Sequence, residues 1–408
     1  MRPLDPKFCL VPFTNFSISP RGIIRSCCNQ YERSMHTTWE NIKDLTDVQW
    51  PTPNIEKLQK KMLGDNIEKT CPECEVCWNF ENMGRESYRT NYNTFWLNRL
   101  GDENVEKVLD NPKLNTLDLQ FGHLCNNSCV MCNTSLSSQL YVTKSKMHKN
   151  STDEEQKKFY EKDLNYIKDH MDWTSDDYSY EKVKNLCKDI DVIKISGGEP
   201  IFNPRFPEFL EYIVNKEIPI RRIHLTTNGT IYNQFVVDQL NKIKEKVQVK
   251  FSIEAIGEQE EFIRWPTNWE EKESNIIKYI EAIEHEGKET TIEISSCIQS
   301  LTLTSINNVK YFVEKLQARF PEKNIIHSKQ PVSAGDIASA MHSDNEYLEF
   351  CKKLYTERIY KHIELSQKYS KKETKKQVLY YLDFAKLQNI DFAKTFPVYW
   401  KYHKKYVE

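Results

Sequence analysis

The stretch that decides the fold is Cys125-Asn126-Asn127-Ser128-Cys129-Val130-Met131-Cys132, in which three cysteines follow the spacing CxxxCxxC. It comes just after residues 117–121, where apolar and polar side chains alternate as they do in a β-strand. The thiols are therefore predicted on a loop at the carboxyl end of a strand, where barrel enzymes place their chemistry. Three thiolates on one short loop suit a face of an iron–sulfur cubane and leave its fourth iron free for another ligand. A zinc site is the alternative interpretation of the triad alone.

Helical and extended patterns alternate from this loop toward the C-terminus. Strands are predicted at residues 117–121, 191–195, 222–226, 247–253, 291–298 and 324–328. Helices are predicted between them at residues 182–188, 206–214, 232–244, 275–283 and 305–320. A series of about six strands, each joined to the next by a helix, is typical of a parallel α/β fold.

Three of the predicted strands end in glycine and polar residues. The second strand ends in Ser196-Gly197-Gly198-Glu199-Pro200, the third in Thr226-Thr227-Asn228-Gly229-Thr230, and the fourth in Ser252-Ile253-Glu254. Paired glycines let the backbone approach a ligand without a Cβ in the way, and a glutamate can accept hydrogen bonds from an ammonium group. A simple strand-end turn is the alternative for the glycine pair.

The triad followed by GGEP at the end of a second strand resembles the radical S-adenosylmethionine (SAM) superfamily, over about residues 112–335. The resemblance implies a partial (β/α)6 barrel rather than a closed eight-stranded one. It also implies a [4Fe–4S] cluster held by Cys125, Cys129 and Cys132, with SAM bound at the open iron. Enzymes of this kind reductively cleave SAM to a 5′-deoxyadenosyl radical, which abstracts a hydrogen from the substrate.

The resemblance assigns SAM contacts to the ends of the second and third strands. Gly197, Gly198 and Glu199 match the motif that holds the amino group of SAM. Thr227 and Asn228 match residues that line the cavity beside the cofactor.

Further SAM contacts are implied farther along the chain and inside the triad. Ser252 and Glu254 would face the ribose or carboxylate of SAM, although the family usually has Asp in place of Glu254. Arg264 matches an arginine that pairs with the SAM carboxylate, which a guanidinium fork fits well, and a surface arginine is the alternative. The backbone of Met131 would meet adenine, and Gln299 can reach the same base. No side chain is assigned a catalytic role.

A second group of cysteines lies in the N-terminal region, at Cys9, Cys27, Cys28, Cys71, Cys74 and Cys77. A strand pattern over residues 13–19 and a turn signal at residues 20–22 predict a hairpin that brings Cys9 close to Cys27. Cys74 and Cys77 supply a compact second pair, so that four thiolates can complete a cluster with no open iron. A structural zinc ribbon is the alternative.

This region resembles the SPASM and twitch auxiliary-cluster modules of many radical SAM enzymes, in particular the group in which the module precedes the barrel. In that group a Cys-x-x-Cys-aromatic pair is followed by a Glu and a Ser-x-Arg, which here match Cys74, Cys77, Trp78, Glu81, Ser87, Tyr88 and Arg89. The resemblance implies an auxiliary [4Fe–4S] cluster held by Cys9, Cys27, Cys74 and Cys77. Cys28 and Cys71 are then surplus or substitute ligands.

The chain is thus predicted to contain an auxiliary-cluster region at residues 1–95, the barrel at 112–335 and a helical C-terminal region at 336–408. After the triad, residues 153–170 have helical spacing and form either a solvated helix or an insertion that contacts substrate. The C-terminal region is predicted as helices at 347–363 and 371–387, with the lysines of 371–376 on a solvated face.

Composition narrows the class of protein. The chain has 408 residues, of which 28% are charged and 39% apolar, as in a globular protein of two or three domains. Its net charge of −2 gives no strong field, so neither nucleic acid nor a membrane surface is expected as a partner. The sequence shows no apolar run long enough for a membrane span and no signal core at its start, so we expect a cytoplasmic protein with reduced thiols.

The expected substrate is a peptide or protein, because relatives with auxiliary clusters often modify these. A small metabolite, nucleoside or sugar as substrate is one alternative. A non-enzymatic iron–sulfur or zinc protein is the other, and it would require the GGEP, TNG and SIE strand ends to be coincidental. The resemblance also implies an electron donor such as a reductase, a flavodoxin or a ferredoxin.

Overall fold

The computed structural model describes residues 5–30, 39–100, 102–165, 172–216, 218, 220–243, 245–332, 336–355, 358–368 and 373–408. The strands in these ranges are β1 (Asn15–Ile18), β2 (Ile24–Arg25), β3 (Thr116–Gln120), β4 (Ser128–Cys129), β5 (Val192–Ser196), β6 (Arg222–Thr227), β7 (Lys246–Ser252), β8 (Arg264–Trp265), β9 (Glu289–Ile298) and β10 (Ile325–Pro331).

The helices of the first half of the chain are α1 (Pro53–Met62), α2 (Ile67–Thr70), α3 (Glu75–Asn82), α4 (Tyr88–Leu100), α5 (Asp102–Asp110), α6 (Ser138–Asn150), α7 (Glu154–Asn165), α8 (Asp177–Leu186) and α9 (Arg205–Asn215). Those of the second half are α10 (Gln234–Lys242), α11 (Glu258–Ile263), α12 (Trp269–Ala282), α13 (Ile306–Arg319), α14 (Asn345–Lys352), α15 (Arg358–Lys368), α16 (Thr374–Gln388), α17 (Phe392–Thr395) and α18 (Pro397–His403).

The chain divides into two compact units that both draw on separate segments. The first unit comprises residues 1–123, 170–198 and 204–224, and the second comprises residues 124–169, 199–203 and 225–408. The division into functional regions at residues 1–95, 112–335 and 336–408 stays a prediction.

The sheet of the first unit is mostly parallel. Strand β3 pairs in parallel with β5 on one side and with β1 on the other, and β2 pairs antiparallel with β1. The predicted N-terminal hairpin is therefore present, and it extends the sheet beyond β3. It does so because Phe16 and Ile18 lie opposite Leu117 and Leu119, so that all four apolar side chains share one buried face.

The second unit contains a parallel set of strands and a short antiparallel pair. Strand β9 lies between β7 and β10 and is parallel to both. Strands β4 and β8 form a two-stranded antiparallel ladder. The parallel α/β fold predicted from the sequence is confirmed, and each of the six predicted strands starts within two residues of an observed one.

The C-terminal region is helical, as predicted, but its boundaries differ. The prediction of a single helix over residues 347–363 was wrong, because α14 ends at Lys352 and α15 begins at Arg358. Tyr355 lies between them, buried, and its hydroxyl donates to the carbonyl oxygen of Leu303 at 2.5 Å. Lys371 and Lys372 lie outside the described residues, as do residues 166–170 of the helix predicted at 153–170. Among the described helices, none is long and apolar enough to cross a membrane.

Candidate functional site

The cysteine triad lies in the second unit on a loop that is fixed by backbone pairing. Cys129 in β4 lies opposite Arg264 in β8, and the Val130 amide donates to the carbonyl oxygen of Ile263 at 2.9 Å. The Cys132 amide donates to the carbonyl oxygen of Cys129 at 3.0 Å, which closes a turn within the triad. The β4–β8 ladder therefore holds the segment that carries two of the three thiols.

Two thiols of the triad, those of Cys125 and Cys129, are buried, and that of Cys132 is half-buried. Burial raises the pKa of Cys125 to about 12 and also raises the pKa values of Cys129 and Cys132. The positive charge of Arg264 opposes this effect at Cys129. Metal binding would release these protons, because thiolates and not thiols are the ligands. Three soft sulfur donors on one loop are the chemistry that an iron–sulfur cluster needs.

The triad does not form a site for a single ion. Within the described ranges, no group of three or more His, Cys, Asp or Glu side chains is placed to hold one metal ion. A cubane binds each thiolate through a different iron, so its ligand sulfurs need not converge on one point.

Glu199 is buried beside the strand end that carries Thr227 and Asn228. Its Oε1 accepts hydrogen bonds from the Ile201 amide at 3.0 Å and from the Thr227 hydroxyl at 2.7 Å, and its Oε2 accepts from the Asn228 amide at 2.6 Å. The Glu199 amide in turn donates to the carbonyl oxygen of Leu124, next to Cys125, at 2.8 Å. A carboxylate offers about four acceptor sites, so roughly one site on Oε2 is left for a ligand.

Backbone packing alone explains why position 197, in the first unit, is a glycine. Gly197 has φ +121°, and a Cβ there would lie 2.5 Å from the backbone nitrogen of Phe121. The Gly198 amide donates to the carbonyl oxygen of Gly122 at 3.0 Å. The close approach of the β3 and β5 ends therefore requires glycine at 197 before any ligand is considered. The predicted contact of Gly197 and Gly198 with SAM stays a prediction.

Arg264 is paired inside the protein. Its Nε and Nη2 donate to the two oxygens of Glu254, the latter at 2.9 Å, and its Nη1 donates to the sulfur of Cys129 at 3.3 Å. Glu260 accepts from the amide of Glu254 at 3.0 Å and from Lys272 Nζ at 2.5 Å. The negative charge of Glu254 holds the pKa of Arg264 above its usual range. The two residues predicted to bind SAM separately are therefore bonded to each other.

A buried amide with an unused acceptor lies near Met131. Gln299 is fully buried, its Nε2 donates to the sulfur of Met131 at 3.8 Å, and its Oε1 has no hydrogen-bond partner in the part of the chain that the structure describes. Buried acceptors are nearly always satisfied in native proteins, so this oxygen suits a ligand with an amino group. Of Ser252 the described contact is its carbonyl oxygen, which accepts from Lys272 Nζ at 2.7 Å.

Four of the six N-terminal cysteines line one cavity in the first unit. Its walls include Cys9, Cys27, Cys74 and Cys77, together with Arg89. Burial raises the pKa of Cys27 to about 12 and raises those of Cys9 and Cys74. Cys28 and Cys71 are not among the lining residues. The cavity thus brings together the four thiols that were expected as ligands.

Arg89 connects the two chain segments that carry these cysteines. Its Nε and Nη2 donate to Glu81 on α3 at 2.9 and 2.7 Å, and its Nη1 donates to the carbonyl oxygen of Phe8 at 2.7 Å. The Ser87 hydroxyl donates to Glu81 at 2.6 Å. The Glu and Ser-x-Arg of the sequence pattern therefore attach the segment of Cys9 to the helix of Cys77.

Sequence reasoning missed two residues that stabilise the triad loop. Asn126 accepts from Asn228 Nδ2 at 2.8 Å, and the Tyr380 hydroxyl donates to the carbonyl oxygen of Val130 at 2.8 Å. The position of Asn126 inside the cysteine motif was a usable signal. Tyr380 lies 250 residues from its partner, and no local pattern marks it.

Comparisons with known proteins find one family model that matches part of the chain. The model described as "Radical SAM superfamily" matches residues 119–296. No curated protein matches the sequence. Among solved structures, Streptococcus suis SuiB bound to S-adenosylmethionine is 14% identical, with 86% of this chain and 69% of that chain covered and a TM-score of 0.38.

Two further solved structures show similar values. Native anSMEcpe with bound AdoMet is 13% identical, with 59% of each chain covered and a TM-score of 0.35, so this chain spans well under two thirds of its length. SuiB bound to the precursor peptide SuiA is 13% identical, with 96% and 71% covered and a TM-score of 0.36. Likenesses this distant support no argument about activity.

Proposed function

We propose that the chain is an enzyme of the radical SAM superfamily, whose family model matches residues 119–296, and that it binds a [4Fe–4S] cluster through Cys125, Cys129 and Cys132, with SAM beside it. When bound, these cofactors supply a 5′-deoxyadenosyl radical by reductive cleavage of SAM, and that radical removes a hydrogen from the substrate. The residues of this chain bind and orient the cofactors and exclude water. Three thiols on one loop, two of them buried and one half-buried, support the cluster assignment.

The observation that carries the SAM assignment is the environment of Glu199. Its amide is bonded to Leu124, next to Cys125, and its carboxylate is fixed by three donors with about one acceptor site unused. An ammonium group would fill that site with a charge-assisted bond. We place the amino group of SAM there, beside Thr227 and Asn228, and the contact of Gly197 and Gly198 with SAM remains an expectation from the sequence motif.

The other end of SAM is assigned on weaker contacts. The free Oε1 of Gln299 near Met131 suits the amino group of adenine. Arg264 and Glu254 enter the proposal as one hydrogen-bonded ion pair, with Ser252 two residues before Glu254 at the end of β7. In that pair the guanidinium supports Cys129, and we assign its remaining N–H donors to the SAM carboxylate.

For the N-terminal region we propose an auxiliary [4Fe–4S] cluster bound by Cys9, Cys27, Cys74 and Cys77. The cavity that these four residues line supports this ligand set over one that includes Cys28 or Cys71. With four thiolates the cluster would have no open iron, so it would carry an electron or support substrate binding rather than bind SAM.

The substrate we propose is a peptide or protein, on the resemblance of residues 1–95 to auxiliary-cluster modules. The electron that starts SAM cleavage would come from an external reductase, flavodoxin or ferredoxin. The alternative substrate is a metabolite, a nucleoside or a sugar. Assaying the enzyme with a panel of peptides and of these small molecules distinguishes the two classes of substrate.

Anaerobic reconstitution tests the function directly. The parent, supplied with SAM and dithionite, should form 5′-deoxyadenosine, and a variant with Ala at Cys125, Cys129 and Cys132 should form none. Replacing Cys187 and Cys351, both buried outside the two cysteine groups, is the matched control and should leave the reaction intact. Undiminished SAM cleavage in the triad variant would show that the assignment is wrong.

Iron content tests the two clusters separately. The parent should hold about eight irons per chain, on the order of two cubanes. The triad variant and a variant with Ala at the four N-terminal ligands should each hold about half of that. Stoichiometric zinc with no iron left in the triad variant would refute the auxiliary cluster.

A further inference from the structure

Four side chains from four neighbouring strands form one row across the sheet of the first unit. Arg25 on β2 lies opposite Ser17 on β1. Ser17 lies opposite Asp118 on β3, which lies opposite Lys194 on β5. Side chains at paired positions point to the same face of a sheet, with neighbouring Cβ atoms about 4.5–5.5 Å apart. The other face buries the apolar residues Leu117, Leu119, Ile193 and Ile195, so the row lies on the face that the apolar core does not use.

The row contains two cations and one carboxyl group. Lys194 Nζ donates to the Tyr88 hydroxyl at 3.2 Å. Arg25, only 4% exposed, donates to the carbonyl oxygen of Gln30 at 2.6 Å and to Oε1 of Gln120 at 3.2 Å. These hydrogen-bond partners are all neutral, and the single acid of the row, Asp118, interacts electrostatically with both cations. The row therefore has an excess of positive charge.

Two donors in the row are also unused. Arg25 Nε and Ser17 Oγ have no hydrogen-bond partner among the residues described, and Ser17 is fully buried. Their residues lie opposite each other, so the two free donors occupy adjacent positions. Nearly all buried polar groups in native proteins are satisfied by protein, water or a ligand. The free donor of Ser17 is independent of the charge excess, and both free donors indicate the same kind of ligand, one that accepts hydrogen bonds.

One part of this face is open. Lys194, Cys28, Gln120 and Ser196 are each partly exposed, and Gln120 lies opposite Ser196 one step nearer the carboxyl ends of β3 and β5. A ligand that enters from those ends, where barrel enzymes bind their substrates, would pass Gln120 and Ser196 and then meet Lys194, the first charged residue of the row.

We propose that this row, given the function proposed above, is a substrate subsite that binds a carboxylate, with Lys194 as the residue that selects for it. The ammonium group of Lys194 makes a charge-assisted hydrogen bond to the carboxylate. The free donors of Arg25 on β2 and Ser17 on β1 extend the subsite along the row, and water bridges them to the ligand. The carboxylate belongs to the C-terminus of a peptide, to an Asp or Glu side chain, or to a small acid.

Acetate is the probe for the shared chemistry. The reconstituted, SAM-loaded enzyme is unfolded by heat in acetate and in chloride at equal ionic strength, and the dissociation constant follows from the dependence of the midpoint on acetate. We expect acetate to raise the midpoint of the parent above that in chloride, and Lys194→Met to weaken acetate binding at least tenfold. Lys188→Met, at an exposed lysine outside the row, is the matched control and should bind acetate as the parent does.

Two short peptides distinguish the sources of the carboxylate. One is acetyl-Gly-Ala-Gly with a free C-terminus, and the other is acetyl-Gly-Glu-Gly-amide. Tighter binding of either than of acetate, lost in Lys194→Met, assigns the subsite to a peptide C-terminus or to an acidic side chain. Acetate binding equal to that of both peptides assigns it to a small acid. Ser17→Ala, which removes one free donor without adding bulk, should weaken the best probe and leave the midpoint in chloride unchanged or higher.

The proposal is overturned if the parent responds equally to acetate and chloride, or if Lys194→Met responds as the parent does. It is also overturned if Lys194→Met alters the paramagnetic resonance spectrum of the auxiliary cluster while acetate binding persists, because the cations then serve the cluster. Formation of 5′-deoxyadenosine without substrate, measured on the same samples, tests the proposed function separately. Its absence in a parent that binds acetate would reject that function and leave the subsite standing as an anion site.

Discussion

Replacing Arg264 with Met should strand a negative charge inside the second unit. The guanidinium is bonded to both oxygens of Glu254, which is fully buried, and Lys272 is bonded to Glu260, also fully buried. Two positive and two negative charges therefore balance in this network. Without Arg264, Glu254 keeps its charge or takes up a proton, and either outcome costs free energy.

The burial of the Arg264–Glu254 pair determines how large a loss of stability is expected. Removing one partner of a buried ion pair costs about 3–5 kcal/mol, and we expect a loss of that order in the free energy of unfolding of Arg264→Met. Adding Glu254→Gln removes the stranded charge, so the double variant should be more stable than the single one, by about 1–2 kcal/mol. Arg319→Met is the control: its pair with Glu281 is exposed on both sides, and such pairs contribute about 0–1 kcal/mol.

Urea unfolding of the cluster-free protein, followed by circular dichroism and by tryptophan fluorescence, measures these differences, provided that the two transitions coincide. If Arg264→Met stays within about 1 kcal/mol of the parent, or if the double variant is no better than the single one, the buried pair is not formed as described. SAM affinity is measured on the same variants after reconstitution. A loss of SAM binding in Arg264→Met that the double variant restores would assign the residue to support of Cys129 rather than to the SAM carboxylate.

Three further predictions concern single residues. Glu199→Gln should weaken SAM binding about tenfold to a hundredfold with both clusters retained, because a charge-assisted bond is worth about 1.5–3 kcal/mol; a titration that gives the parent affinity would contradict the assignment. Gly197→Ala should lower the free energy of unfolding by about 1–3 kcal/mol or more, since a Cβ would meet the Phe121 backbone, whereas Gly64→Ala, where a Cβ makes an ordinary contact, should change it little; equal effects would refute the packing argument. Burial raises the pKa of Asp336 to about 7. Between pH 5.5 and 7 the unfolded chain has already released this proton, whereas the folded chain still binds it. Stability should therefore fall by about 1–2 kcal/mol between pH 5.5 and 7 and level off above, and Asp336→Asn should remove that slope in urea melts at each pH.

The sequence determined the parts of the fold that local chemistry encodes. Alternating side chains placed the six strands of the α/β series within two residues of their observed starts, because a strand with one buried face must alternate. The spacing of Cys125, Cys129 and Cys132 on one loop, and of Cys74 and Cys77 on another, needed no tertiary information. The resemblance to the radical SAM superfamily rested on such local motifs.

Tertiary structure decided which groups meet. Arg264 and Glu254 are ten residues apart in the chain, and the β4–β8 ladder places Arg264 so that it hydrogen-bonds both Glu254 and Cys129. Strands of two residues leave no pattern in the sequence from which this ladder could be predicted. The row from Arg25 to Lys194 depends on the register of four strands, and one-residue slips would turn its members to opposite faces. Local periodicity fixes which residues form an element, whereas register and charge pairing are set by packing between distant segments of the chain.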